Sequence, residues 1–279
     1  MLAKRVLTAV VLVLLVLAAL FGLSPVGWGV VTLAAVIGAA VEWATLAGFQ
    51  RPMQWLFVAG TALLGVNLLF SPLCGFERGW PAGTVVAVCG AATLFWLAVV
   101  PPWLALRWKP AAALVLAIAG WLVLVGAWVA LVELQARSPW LVLAAMAIVW
   151  IADIAAYFAG RAFGRRKLAP EVSPGKTWEG VYGALAAGAV YAAALTVVAH
   201  PAGYGGEFTA VALLAWIGLA LCLVVLGVMG DLFESLLKRH AGVKDSGTLL
   251  PGHGGILDRV DALLAAMPAA ALLALAFLR

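Results

Sequence analysis

Nine stretches of mostly apolar residues, each close to the length of about 20 that a helix needs to cross a hydrocarbon core, recur along this chain. They lie near residues 5–23, 26–47, 53–70, 83–100, 111–134, 139–160, 178–199, 209–232 and 257–278. In lipid every backbone polar group must find its partner within the protein, so such stretches fold as helices rather than as open sheet or loop. The pattern predicts an all-α, polytopic integral membrane protein with about nine transmembrane helices. Composition agrees: 66% of the 279 residues are hydrophobic and 10% charged, more apolar surface than a soluble domain hides. Lys4-Arg5 ahead of the first stretch resembles the start of a signal peptide. The second stretch follows almost at once with no clear cleavage signal, so the first is read as a retained helix.

Loop charge predicts the orientation. With nine spans and a cytosolic N-terminus, fourteen of the seventeen Lys and Arg fall on the inner side and only Arg78, Arg137 and Arg279 on the outer, as the positive-inside rule requires. The expected location is the inner, cytoplasmic membrane, multi-pass, with the polar loops in the cytosol. The net charge of +5 restates this loop bias and adds attraction to anionic headgroups; it does not argue for nucleic acid. Cys74, Cys89 and Cys222 have neither CxxC spacing nor an even count, which suggests no disulfide framework or zinc site. Trp28, Trp80, Trp103, Trp108, Trp140 and Trp178 lie near predicted span ends and are expected to anchor at the interface.

The chain divides loosely. Residues 1–135 read as a lipid-facing scaffold of helices with short loops, and residues 136–279 as helices carrying the polar motifs. Glu42 and Glu133 also fall within predicted spans, as internal hydrogen-bonding groups or as groups at a span's edge. His200 and Glu207 are predicted on the far side of the membrane and receive no role.

Five of the twelve acids lie between Asp231 and Asp261: Asp231, Glu234, Asp245, Asp258 and Asp261. Charge this dense beside lipid is costly and points to a site. On a helix, Asp231, Glu234, Ser235 and Lys238 share one face, so the eighth span is expected to emerge as an amphipathic extension. Asp258 and Asp261 share a face at the start of the last helix, on the same side of the membrane. Converging carboxylates without clustered His or Cys are the hard oxygen ligands of Mg²⁺, which reaches substrate phosphates. Lys238, Arg239, Lys244 and Arg259 stand ready to neutralise phosphate oxygens. Between the acids runs Ser246-Gly-Thr-Leu-Leu-Pro-Gly-His-Gly-Gly255, whose glycines let backbone N–H groups approach an anion. His253 in that loop is a phosphate donor, an acid or base, or a loop cap.

A second polar segment runs from Asp153 to Gly180. Asp153 lies within the sixth stretch, where an acid is either functional or half of a buried ion pair. Ser173-Pro174 is expected to start the seventh helix, with Ser as N-cap and Pro at N1, aiming Lys176, Thr177 and the helix N-terminus at an anion. Arg161, Arg165, Arg166 and Lys167 read as topology signals. A P-loop reading of Gly175-Lys-Thr177 fails, because Pro170 stands where that pattern needs Gly and no strand is predicted before it.

The spaced set Ser235-x-x-Lys-Arg-x-x-x-x-Lys-Asp-Ser-Gly-x-x-x-Pro-Gly-His-Gly-Gly-x-x-Asp-Arg-x-Asp261 closely resembles the signature of the phosphatidate cytidylyltransferase (CDP-diacylglycerol synthase) family, and residues 153–180 are similar to that family's second characteristic region. Gly175 stands where many members have Lys. The resemblance covers roughly the last 130 residues. It implies transfer of the cytidylyl group of CTP to phosphatidic acid, giving CDP-diacylglycerol and pyrophosphate with Mg²⁺ required and room for a second cation. It further implies Asp231 and Asp258 as metal ligands with Asp261 behind them; Ser235, Lys238, Arg239, Lys244, His253 and Arg259 around the phosphates; and Ser173, Lys176 and Thr177 completing the phosphate pocket. It implies a lipid bilayer as partner and is compatible with a homodimer.

Two other readings fit parts of the pattern. A CTP-dependent lipid kinase would use a similar site to attack the γ-phosphorus. An ion or phosphate transporter would also bury Asp153 but should show inverted repeats and broken helices, whereas charge here collects on one face.

Overall fold

The computed structural model describes residues 2–77, 79–199, 209–249 and 254–277. Arg78, His200, Glu207, His253 and Arg279, all named above, lie outside the described residues. The helices are α1 Leu2–Gly22, α2 Pro25–Leu46, α3 Arg51–Phe70, α4 Ala82–Leu94, α5 Val100–Leu106, α6 Ala113–Arg137, α7 Pro139–Phe163, α8 Trp178–Ala199, α9 Ala210–Ala241 and α10 Leu257–Phe277. With α4 and α5 taken as one continuous rod, each falls on one predicted stretch. Among the described residues eight rods are long and apolar enough to cross a membrane, and α1 adds a shorter apolar run, Val13–Gly22. The protein is an all-α, multi-pass membrane protein.

Local sequence explains the boundaries. Ser24-Pro25 and Ser138-Pro139 start α2 and α7: each serine hydroxyl accepts from a backbone N–H of the first turn, and each proline takes a position whose N–H has no partner to lose. Pro101 and Pro102 have no N–H to give, and the backbone between α4 and α5 opens into a π turn at Phe95–Val99. At 32 residues α9 spans about 48 Å, longer than a hydrocarbon core of about 30 Å, and Phe233, Glu234, Ser235, Leu236 and Leu237 near its C-terminal end are buried within the protein. Gly242 ends it in the left-handed conformation (φ 72°), donating to the Lys238 and Arg239 carbonyls.

The core centres on α6, 72% of whose apolar window is buried. Tryptophans knit it to α2, since a buried indole N–H needs an acceptor. Trp28 Nε1 donates to Leu131 O at 3.2 Å, Trp43 to Leu116 O at 3.0 Å, and Trp128 to Gly29 O at 3.0 Å. This corrects the interfacial reading of Trp28, Trp80 and Trp103, which are buried and satisfied by carbonyls. Trp108, Trp140 and Trp178 are exposed. Glu133 is a true internal group: it accepts from Arg137 Nε at 2.9 Å and from Trp80 N at 3.1 Å.

One prediction fails at the start of α8. Ser173 is not its N-cap; Ser173–Thr177 is an extended strand, β2, paired antiparallel with β1 (Lys167–Ala169), with Lys167 opposite Thr177 and Ala169 opposite Ser173. Proline biases the residue before it away from the helical region, so Ser173-Pro174 extends the chain here. The helix begins at Trp178, and the capping hydroxyl is that of Thr177, which accepts from Gly180 N at 3.1 Å.

Candidate active site

The hairpin, the last turns of α7, residues 228 and 231 of α9 and the first turns of α8 and α10 surround a polar cavity of about 560 Å³. Asp153, Tyr157 and Arg161 line it from α7, Ser173, Lys176 and Thr177 from the hairpin, Asp231 from α9, and Asp258 and Asp261 from α10. Residues of the two polar segments singled out in the sequence therefore line one cavity. Ser235, Lys238, Arg239, Lys244 and Arg259 are not among its wall residues.

Packing beneath the cavity fixes α9. Phe233 is fully buried, with the rings of Trp103, Trp96, Phe95 and Trp43 centred 5.3, 5.5, 6.0 and 6.3 Å away. That aromatic socket sets the rotation of the helix. Gly230 lets α9 approach α10 closely, since a Cβ there would strike the Asp261 carbonyl.

On the wall, Lys176 Nζ meets Asp231 Oδ2 at 2.5 Å, and Ser235 Oγ lies 3.4 Å from Asp231 Oδ1. Behind the wall, Lys238 bridges Glu234 (2.6 Å) and Asp258 Oδ1 (2.7 Å), a half-buried cation shared by a buried and a half-buried carboxylate. The other oxygen of Asp258 accepts from Ser246 N, Ser246 Oγ and Gly255 N, each at 2.9 Å. Lys238 thus locks Asp258 from one side and the glycine loop locks it from the other. Arg239 Nε donates to Val172 O at 3.3 Å, and Arg107 pairs with Glu171, so two arginines hold the turn of the hairpin that carries Lys176. Lys244 is exposed on the loop after α9 and has no bond among the described residues.

The loop closes on a group whose part the sequence did not reveal. Glu42 of α2, only 4% exposed, accepts from Ile256 N and Leu257 N at 2.9 Å each, and its Oε2 lies 3.0 Å from Ser246 Oγ, whose single proton it shares with Asp258. A carboxylate at the N-terminus of α10 satisfies N–H groups that the helix leaves open and opposes its dipole. Gly255 is required because a Cβ there would run into Glu42 and Ser246 Oγ, and Gly254 adopts φ 82° against Asp258. An acid within an apolar stretch was the available signal; its partner, more than 200 residues away in sequence, was not visible.

Four carboxylates and two cations line one cavity, so its wall is net negative. Such a wall repels phosphates unless cations enter with them. Its ligand atoms are hard oxygens, which suit Mg²⁺. Among the described residues no three acidic, His or Cys side chains already enclose one point, so substrate oxygens and water would have to complete any coordination shell.

Residues 3–277 match the model of a family described as the cytidylyltransferase family. Phosphatidate cytidylyltransferase of Pseudomonas aeruginosa is 40% identical over 278 residues, covering 96% of this chain and 95% of that protein. Proteins of the same name from Haemophilus influenzae and Brucella suis are each 38% identical; the first comparison covers 96% of both chains, the second 95% of this chain and 90% of the relative.

Proposed function

The chain belongs to the cytidylyltransferase family, and on that premise we propose that it transfers the cytidylyl group of CTP to phosphatidic acid, releasing pyrophosphate and forming CDP-diacylglycerol for phospholipid synthesis. The observation that carries the reading to this site is the polar cavity walled by Asp153, Asp231, Asp258, Asp261 and Lys176. The bacterial relatives and the loop charge favour the inner membrane with this end in the cytosol, where CTP is found.

The lipid phosphate is already ionised at neutral pH, so no protein nucleophile is needed, and catalysis is positioning plus charge neutralisation. Lys176, held by Asp231 on one side and by the hairpin on the other, presents a fixed ammonium to a phosphate oxygen. Thr177 holds the first turn of α8 against the cavity, and Ser173 presents a hydroxyl on the same strand. Lys238 and the Ser246–Gly255 loop keep Asp258 from rotating. Asp231, Asp258 and Asp261 are the residues that would hold Mg²⁺, and the ion would supply the positive charge needed for two polyanionic substrates to share a net-negative cavity. The test is direct: purified protein with phosphatidic acid, CTP and Mg²⁺ should yield CDP-diacylglycerol by mass, and none when a chelator is added or when CTP or phosphatidic acid is left out. No CDP-diacylglycerol from the complete mixture would overturn the proposal.

A further inference from the structure

Arg161 and Lys176 are the two cations on the cavity wall. Lys176 is paired with Asp231, whereas the guanidinium of Arg161 meets only a neutral group among the described residues, the Tyr157 hydroxyl at 3.3 Å. Arg161 therefore carries the wall's one positive charge not already matched by a carboxylate. Its place on α7 is equally specific. Trp150, Ile154, Tyr157 and Phe158 are exposed at helical spacing and form the outward, lipid-facing stripe of the helix, and Arg161 is the next exposed position along it. Tyr157 and Arg161 belong both to that stripe and to the cavity wall. At this edge the polar site meets the bilayer.

We infer that Arg161, steadied by Tyr157, receives the phosphate of the lipid substrate as it enters from the bilayer edge, leaving Lys176 and the carboxylate side of the cavity to the nucleotide. A guanidinium can grip a phosphate monoester through two parallel N–H bonds, and at this place the anion arrives attached to acyl chains. The inference rests on the proposed reaction for the identity of the lipid. The last turn of a helix favours a cation whatever its use, so the test must read substrate rather than stability.

In detergent micelles, R161Q should raise the KM for phosphatidate about tenfold, the scale of one charge-assisted phosphate contact, and leave the KM for CTP within about twofold, the ordinary scatter for a residue that touches no nucleotide. R161K, which keeps the charge but loses the fork, should fall between, and Y157F should shift the same constant less. A rise confined to the KM for CTP, or no change in either constant, would overturn the assignment. Equilibrium retention of phosphatidate against phosphatidylcholine, measured without CTP, separates this inference from the reaction. Weaker retention by R161Q than by the unmodified protein supports it even if no CDP-diacylglycerol is ever formed, and equal retention by both proteins overturns it.

Discussion

Ser246 Oγ lies 3.0 Å from Glu42 Oε2 and, on its other side, 2.9 Å from Asp258, so Glu42 of the second helix is coupled through one hydroxyl to a carboxylate of the cavity wall 216 positions along the chain. The N-terminal helices therefore do more than fill the bilayer around the site. They hold the glycine loop and the first turn of α10 in register.

Replacing Glu42 should show this. E42A leaves the N–H groups of Ile256 and Leu257 without their acceptor, and should cost about 2–4 kcal/mol, the range for orphaned buried donors. The thermal midpoint in detergent should fall and turnover with it. E42Q keeps the shape but turns an N–H₂ toward backbone donors, so it should lie nearer to E42A than to the unmodified protein.

The loop glycines should differ sharply from glycines in open helix faces. A Cβ at Gly255 would overlap Glu42 and Ser246, whereas one at Gly218 meets nothing within 4 Å. G255A should abolish turnover and lower stability; G218A should preserve both. Full activity in G255A would show that the loop does not need the packing described.

Two aspartates on the same wall should fail in different ways. Asp231 is partly exposed and paired with Lys176, so D231N should lose turnover while its melting temperature changes little. Asp258 is tied to Lys238, Ser246 and Gly255. D258N should therefore lose turnover and also about 2–4 kcal/mol of stability, because it weakens a buried ion pair and its hydrogen bonds together. Equal stability loss in the two variants would contradict the partition.

Orientation can be read by labelling. In a background without native cysteines, G175C and T248C should react with an impermeant thiol reagent only from the cytosolic side, and L73C, nearly fully exposed between α3 and α4, only from the other. Labelling of residues 175 and 248 from opposite sides would break the composite site.

The sequence made the helices legible because the bilayer imposes a length and a hydropathy that few other structures share. It made the wall legible because Asp153, Asp231, Asp258 and Asp261 sit where charge beside lipid is costly. What it hid is of two kinds. Ser173-Pro174 carries the local marks of a helix start, and only pairing with Lys167–Ala169 turns it into a strand. Trp28, Trp80 and Trp103 stand near span ends as interfacial anchors do, yet each indole finds a carbonyl inside the bundle. The bonds of Glu42 and the socket around Phe233 depend on contacts between distant parts of the chain, which no local pattern records.

The central claim is the identity of the phosphorus attacked, and labelled CTP reads it directly. With α-labelled CTP, label should enter the lipid only when phosphatidic acid and Mg²⁺ are both present, with unlabelled pyrophosphate released in equal amount. With γ-labelled CTP the lipid should stay cold and the pyrophosphate become labelled. Label entering a lipid alcohol from the γ position, with CDP left behind, would contradict the account and make this protein a lipid kinase built on the same cavity.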